Sequence, residues 1–140
     1  MCLSTKIIEE IRERAETRLE IQNNHNGKAK LGCLIYRKGK GDVFCYGINR
    51  YNENYRARDG YPDSLHAEEA ALGKLKKSEK PQKIIIVVYR INHNKKLCNS
   101  KPCDNCVKAI KITLIQKNYK LVGNKVWYTD KNGEFNFIHI

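Results

Sequence analysis

No run of apolar residues in this sequence approaches the ~20 residues that an α-helix needs to cross a bilayer. The first residues lead directly into a charged amphipathic stretch and lack the apolar segment of a secretory signal peptide. No internal repeat, low-complexity tract or linker is present, and the 140 residues suit a single apolar core. We therefore expect one domain over residues 1–140, with no membrane partner. We expect a cytoplasmic location, although a nuclear one fits the same observations.

Acidic residues are also scarce. The 15 Asp and Glu residues stand against 27 Lys and Arg residues, which gives a formal net charge of +12 at pH 7. Such an excess favours polyanionic partners, either nucleic acid or the phosphates of a nucleotide. A lysine-rich surface can also serve solubility alone, so charge by itself leaves both interpretations open.

Because the chain lacks a secretory signal, its six cysteines are not expected to form a disulfide scaffold. The C-x-x-C pair Cys103 and Cys106 is then a candidate for metal binding or redox chemistry. The other cysteines are expected to be reduced thiols: Cys2, Cys33, Cys45 and Cys98.

The order of apolar patterns predicts an α/β fold. In chain order they indicate a helix over residues 4–22, strands over 31–37 and 43–48 joined by a hairpin, a helix over 65–75 capped by Asp63 or Ser64, a central strand over 84–89, a helix opened by Pro102, and strands over 122–129 and 135–138. Strands that alternate with crossover helices predict a three-layer α/β/α sandwich around a mixed five-stranded sheet. The short last strand is expected to be antiparallel because Asn132-Gly133 is a hairpin turn signal.

Two short motifs carry the chemistry, His66-Ala67-Glu68 and Pro102-Cys103-Asp104-Asn105-Cys106. One imidazole and two thiolates can hold Zn²⁺ and leave its fourth tetrahedral position open for an activated water. The carboxylate of Glu68 need not bind the metal, and it can move protons between that water and a substrate. This H-x-E…P-C-x-x-C pattern is a signature of zinc-dependent nucleobase deaminases.

The spacing of the motifs predicts where they lie on helices. Helical residues advance by about 100°, so His66 and Glu68 can converge on one site only where a helix begins. Cys103 and Cys106 are three residues apart and share a helix face. The partial positive charge of a helix N-terminus is expected to lower the pKa of these thiols. Both motifs should therefore lie at the N-termini of two adjacent helices.

With these motifs, and with Ser100-Lys101-Pro102-Cys103 and Val126-Trp127-Tyr128-Thr129-Asp130, the chain resembles the cytidine/deoxycytidylate deaminase superfamily. The similarity extends from about Leu31 to Asp130, and the segment from Ser100 to Asp130 is especially similar to the deoxycytidylate-deaminase-like branch. The resemblance implies a sandwich of the cytidine deaminase type, Zn²⁺ on His66, Cys103 and Cys106, and Glu68 as the proton shuttle. It also implies a homo-oligomer. The antiparallel last strand is instead typical of cytidine deaminases, which usually have Cys at the position of His66.

Three further residues are candidates for substrate binding. Asn49 matches the Asn that the family places after the second strand to contact the sugar, and its other interpretation is a plain turn residue. Tyr128 is expected either to stack on a base or to pack in the core. Ala67 is the third candidate, and it lies in sequence between the metal ligand His66 and the proton shuttle Glu68.

The activity that the resemblance implies is hydrolytic deamination of cytosine to uracil in a nucleoside or nucleotide. One alternative is deamination of cytosine or adenine in single-stranded DNA, RNA or tRNA, favoured by the +12 charge and by the basic, aromatic residues 49–63. A second is a non-enzymatic, zinc-stabilised nucleic-acid-binding module. A third is a closed structural zinc site in which His93 and Cys98 join Cys103 and Cys106.

Overall fold

The computed structural model describes residues 3–21, 30–39, 43–48, 50–51, 64–65, 67–91 and 96–140. In chain order the elements are α1 (Thr5–Ile21), β1 (Lys30–Arg37), β2 (Val43–Ile48), β3 (Arg50–Tyr51), β4 (Ser64–Leu65), α2 (Ala67–Gly73), β5 (Gln82–Ile91), β6 (Leu97–Cys98), α3 (Asp104–Lys117), β7 (Tyr119–Thr129) and β8 (Phe135–His139). None of the described helices has the length and apolar character that crossing a membrane requires.

The main sheet has the strand order β2-β1-β5-β7-β8, and the short strand β6 pairs with β5. β5 and β7 are parallel, while β1 pairs antiparallel with both β2 and β5. β8 is antiparallel to β7, as the turn at Asn132-Gly133 predicted. The α/β class and the mixed sheet are confirmed, with β6 as a sixth strand beside the five predicted ones. Two residues are too few to produce an alternating pattern, so β6 had no signal in the sequence.

Two buried clusters lie on opposite faces of the sheet and make three layers. Successive residues of a strand point to opposite faces, so Cys33 and Ile35 of β1 belong to one cluster, and Leu34 and Tyr36 to the other. The first cluster contains apolar residues of α2 and α3. The second contains Ile7, Ile11 and other residues near the start of α1. The site-bearing helices α2 and α3 therefore share one face of the sheet.

The starts of α2 and α3 differ from the predicted ones. Ser64 is not a helix cap, because it belongs to β4 and pairs with Tyr51 of β3. Pro102 precedes the helix rather than opening it, since Cys103 is the N-cap of α3 and has the extended backbone typical of that position. Asp63, the other predicted cap, lies outside the described residues.

β7 begins three residues before its predicted start at residue 122. Gly123 and Asn124 have positive φ angles of 67° and 53°, and the pairing of β7 with β5 shifts register between Ile84 and Ile86. The predicted strand therefore lacked the part of β7 that precedes this irregularity. Upstream, Asn118 in the left-handed conformation ends α3 directly before the strand.

Gly47 sets the distance between β2 and the first turn of α2. A Cβ atom at Gly47 would lie 2.5 Å from the carbonyl oxygen of Ala67 and 2.8 Å from the Cβ of Ala70. We expect Gly47→Ala to lower the free energy of unfolding by about 1–3 kcal/mol, because the strand or the helix must move. Urea denaturation followed by circular dichroism measures the change.

Gly73→Ala is the matched control, since nothing lies within 4 Å of a Cβ at that position. Alanine is a better helix former than glycine by about 0.5–1 kcal/mol, so this variant is expected to be at least as stable as the parent. Equal stability of the two variants would show that β2 and α2 are not in close contact at Gly47.

Candidate active site

Glu68 is a carboxylate buried at the N-terminus of α2. It is the second residue of the helix, its side chain is only 4% exposed, and Ala67 before it is fully buried. The close approach at Gly47 holds this helix end against β2, and the neighbouring strand supplies the fully buried thiol of Cys33. Burial raises the pKa of Cys33, and the negative charge of Glu68 adds to the shift. Glu68 therefore lies beneath the sheet and not on an open surface.

Cys103 and Cys106 occupy the N-terminus of α3. Their sulfur atoms are 3.3 Å apart, Cys103 is exposed and Cys106 is buried. The pKa of the Cys106 thiol is raised, first by burial and then by a hydrogen bond to the carboxylate of Glu68. This contact joins the two motifs across 38 residues of sequence, as the prediction of adjacent helix ends required.

The expected lowering of thiol pKa by the helix N-terminus is wrong for Cys106. The dipole of a helix contributes only a partial charge at its end. Burial and the adjacent carboxylate both act in the opposite direction and outweigh it. A buried thiol beside a buried carboxylate is a pair that a cation would stabilise.

The two cysteines fit a zinc ion. Thiolates that share a tetrahedral Zn²⁺ lie about 3.8 Å apart, because each Zn–S bond is about 2.3 Å long. The observed sulfur separation of 3.3 Å is slightly shorter than this value, so a small movement of the two side chains would accommodate the ion. His66 lies outside the described residues. The set of His66, Cys103 and Cys106 therefore stays a prediction.

The described part of the chain contains no group of three His, Cys, Asp or Glu side chains that could hold a metal. Cys98 therefore does not join Cys103 and Cys106, which argues against the closed structural site. Cys98 lies on β6, half-buried, and its backbone pairs with Arg90 of β5. His93, the other ligand of that alternative, lies outside the described residues.

A buried hydroxyl network holds the segment before Cys103 against the sheet. The backbone N–H of Ser100 donates to the carbonyl of Thr129 over 2.8 Å, and the N–H of Thr129 donates to Ser100 Oγ over 2.8 Å. Ser100 Oγ lies 2.9 Å from the carbonyl of Val88, and Thr129 Oγ1 donates to the carbonyl of Cys98 over 2.7 Å. The network therefore fixes this segment to the ends of β5 and β7. The sequence did not predict this network, because the two hydroxyls are 29 residues apart and no local pattern indicates that they interact.

Thr129→Val tests this network with little change in side-chain shape. We expect a loss of about 1–3 kcal/mol in the free energy of unfolding, because buried hydrogen-bonding groups lose their partner. We also expect weaker zinc binding, since the segment leading to Cys103 is less tightly held. Urea denaturation and competition with a chromogenic chelator measure the two effects.

Ser78→Ala removes an exposed hydrogen bond and is the control, with an expected change below about 0.5 kcal/mol. A Thr129→Val protein as stable as this control would contradict the positioning role.

The candidate substrate-binding residues are only partly described. Tyr128 is half-buried and packs against the cluster that contains α2 and α3, so it lies on the same face of the sheet as Glu68. Asn49 directly follows β2 in sequence but lies outside the described residues. The contacts of Asn49, Ala67 and Tyr128 with a substrate stay predictions.

The chain is similar to one protein-family model and to several solved structures. A family model described as the cytidine and deoxycytidylate deaminase zinc-binding region matches residues 6–121. No curated protein sequence matches the chain significantly. The structure of cytidine deaminase from Mycobacterium leprae is similar, with a TM-score of 0.51 and 16% identity over 90% of this chain and 88% of that one. The apo dCMP deaminase of cyanophage S-TIM5 has a TM-score of 0.49 and 19% identity over 92% of this chain and 86% of that one.

Proposed function

Because the chain belongs to the family of the cytidine and deoxycytidylate deaminase zinc-binding region, we propose that it hydrolyses the exocyclic amine of cytosine in a nucleoside or nucleotide. The product is uracil, with ammonia as the second product. The observation that carries the proposal is the contact of Glu68, buried at the start of α2, with Cys106, buried at the start of α3. This contact supports one site built from the two motifs of the sequence. Residues 1–140 are proposed to act as one domain.

His66, Cys103 and Cys106 would hold the metal of this site. Zinc bound there supplies Lewis-acid activation of a water molecule, which becomes a nucleophile near neutral pH. The 3.3 Å between the sulfur atoms of Cys103 and Cys106 supports the assignment of the two thiols. His66 directly precedes Ala67, the first residue of α2, and so is adjacent in sequence to the same helix end.

Glu68 would move the protons of the reaction. Its carboxylate accepts a proton from the attacking water and delivers it to the ring nitrogen beside C4 of cytosine. The oxygen of water bonds to C4 and the bond from C4 to the exocyclic nitrogen breaks. Glu68 takes the second proton from the hydroxyl group now on C4, which becomes the carbonyl oxygen, and transfers it to the departing nitrogen, which leaves as ammonia. A carboxylate that is only 4% exposed suits this role, because bulk water competes little for its protons.

The remaining candidates would bind the substrate. Tyr128 would stack on the base, since its half-buried ring lies on the face of the sheet that carries Glu68. Asn49 would contact the sugar, and Ala67 would line the base pocket with a side chain small enough to leave room for the ring. A homo-oligomer remains a prediction. Ile112 and Ile115 of α3 are 55% and 81% exposed and offer an apolar surface for such an assembly.

A deamination screen tests the proposal. Zinc-loaded protein is incubated with cytidine, deoxycytidine and their monophosphates, with the corresponding adenine compounds in parallel. Mass spectrometry detects the gain of about 1 Da that replaces an amine with a carbonyl oxygen, and a coupled assay detects ammonia. Turnover of cytosine compounds alone is the expected result. No turnover of any compound by protein that contains stoichiometric zinc would refute the proposed function.

A further inference from the structure

The edge strand β2 presents two large aromatic side chains to solvent. Phe44 is 38% exposed and Tyr46 is 42% exposed. β2 is the outermost strand at one end of the sheet order, so no further strand of the main sheet covers it in the described chain. The strand continues to Gly47, which contacts the first turn of α2. Tyr46 is paired in register with Leu34, whose side chain belongs to the cluster on the α1 side, so the Tyr46 ring lies on the face of the sheet away from Glu68.

Basic side chains lie over both rings. The guanidinium of Arg37 is 4.8 Å from the centre of the Phe44 ring, and the ammonium of Lys74 is 4.2 Å from the centre of the Tyr46 ring. Arg14 of α1 also approaches Tyr46, at 5.4 Å from the centre of the ring. We call Arg37, Phe44, Tyr46 and Lys74 the β2 surface.

Within the described residues, Arg37 and Lys74 form no salt bridge with a carboxylate, whereas Arg14 is paired with Glu10 at 2.8 Å. The chain as a whole carries a formal charge of +12. Exposed rings beside cations suit a partner that is both flat and anionic.

A single-stranded polynucleotide meets both requirements. Its unpaired bases can stack on aromatic rings, and its phosphates attract Arg and Lys side chains. A duplex keeps its bases stacked inside and offers the rings little to contact. A second copy of this chain would bring two strongly positive surfaces together, which electrostatic repulsion opposes.

We propose that the β2 surface binds single-stranded nucleic acid, with bases stacked on Phe44 and Tyr46 and phosphates beside Arg37 and Lys74. Binding here does not require turnover at Glu68, so this inference goes beyond the proposed function.

The binding test uses the parent protein with oligothymidylate, because thymine has no exocyclic amine and the bound strand cannot be deaminated. A fluorescein-labelled oligothymidylate of twelve nucleotides is titrated at low salt, and the dissociation constant is measured by anisotropy. We expect Phe44→Ala and Tyr46→Ala each to weaken binding by about tenfold, because each removes one stacking platform. Tyr46→Phe keeps the ring and is expected to bind like the parent. Arg37→Ala and Lys74→Ala are expected to reduce the slope of log affinity against log salt by about 0.7 each.

Phe137→Ala is the matched control. Phe137 is 40% exposed and has the ammonium of Lys125 4.1 Å from its ring centre, but it lies on β8 at the other edge of the sheet. Its ring already packs against Trp127 and His139, with ring centres 5.1 Å and 5.3 Å apart. We therefore expect this variant to bind like the parent. Thermal unfolding checks that every variant is folded.

Three results would overturn the inference. One is the absence of oligonucleotide binding by the parent at low salt. Another is an equal loss of affinity in Phe137→Ala and Phe44→Ala, which would indicate binding by charge without the β2 surface. The third is a parent protein that self-associates in sedimentation velocity and loses this association in Tyr46→Ala, which would assign the surface to a second copy. Binding is measured without turnover. A failure of the deamination screen would therefore not change the conclusion drawn from the binding measurement.

Discussion

Glu68→Gln is expected to lower kcat for cytosine deamination by about 10²–10⁴-fold, the range that a positioned general acid–base group contributes. Glutamine has nearly the shape of glutamate and can keep the contact with Cys106, but its amide cannot accept and return a proton near neutral pH. KM should change little, because the substitution leaves the size of the pocket unchanged. Steady-state kinetics on the best substrate of the screen measures both constants.

Zinc content separates this loss of chemistry from a loss of the metal. Glu68→Gln protein is expected to contain as much zinc as the parent when both are measured by atomic emission after dialysis. Glu69→Gln is the matched control, since Glu69 is the next residue of α2 and is exposed where Glu68 is buried. It should keep the kinetics of the parent. A Glu68→Gln enzyme with the parent's kcat would remove Glu68 from the mechanism.

Cys106→Ser is expected to weaken zinc binding by more than about 100-fold, since loss of a ligand's outer hydrogen-bond partner alone costs about 10–100-fold. Serine has a much higher pKa than cysteine and is a poor ligand for zinc in neutral form. Cys106 is also only 1% exposed and contacts Glu68, so no nearby side chain of the described site is placed to substitute for it. Activity should fall with the bound zinc, and added zinc should restore little of it. Competition with a chelator of known affinity measures the change.

Cys98→Ser is the control for this experiment and also tests the closed structural site. Cys98 precedes the segment that leads into α3, and Cys106 follows it. Cys98 lies on β6 and does not form a possible three-ligand metal site with Cys103 and Cys106. We expect Cys98→Ser to bind zinc like the parent. Loss of zinc in Cys98→Ser would mean that four protein ligands close the metal site, and hydrolysis there would be excluded.

Much of the secondary structure could be predicted from the sequence because its signals are local. The continuous apolar run of residues 84–89 predicted the buried central strand, now β5, and Asn132-Gly133 predicted the antiparallel return of β8. The letters and spacing of His66, Glu68, Cys103 and Cys106 predicted a zinc deaminase site at two helix N-termini. The family match confirms the deaminase family, and the metal ligands stay a prediction. Local chemistry of this kind is encoded over a few residues and needs no knowledge of the packing.

Only the tertiary structure decided how these parts meet. The contact of Glu68 with Cys106, the close approach at Gly47 and the hydroxyl pair Ser100 and Thr129 join residues that are 20 or more positions apart or on different elements. The raised pKa of Cys106 also depends on this packing, because burial and a carboxylate from another helix outweigh the local helix dipole that the sequence predicted. Pairing across the sheet and the removal of water are properties of the folded chain as a whole. A single sequence contains the groups that interact, but the distances between them follow from how the sheet and its helices pack.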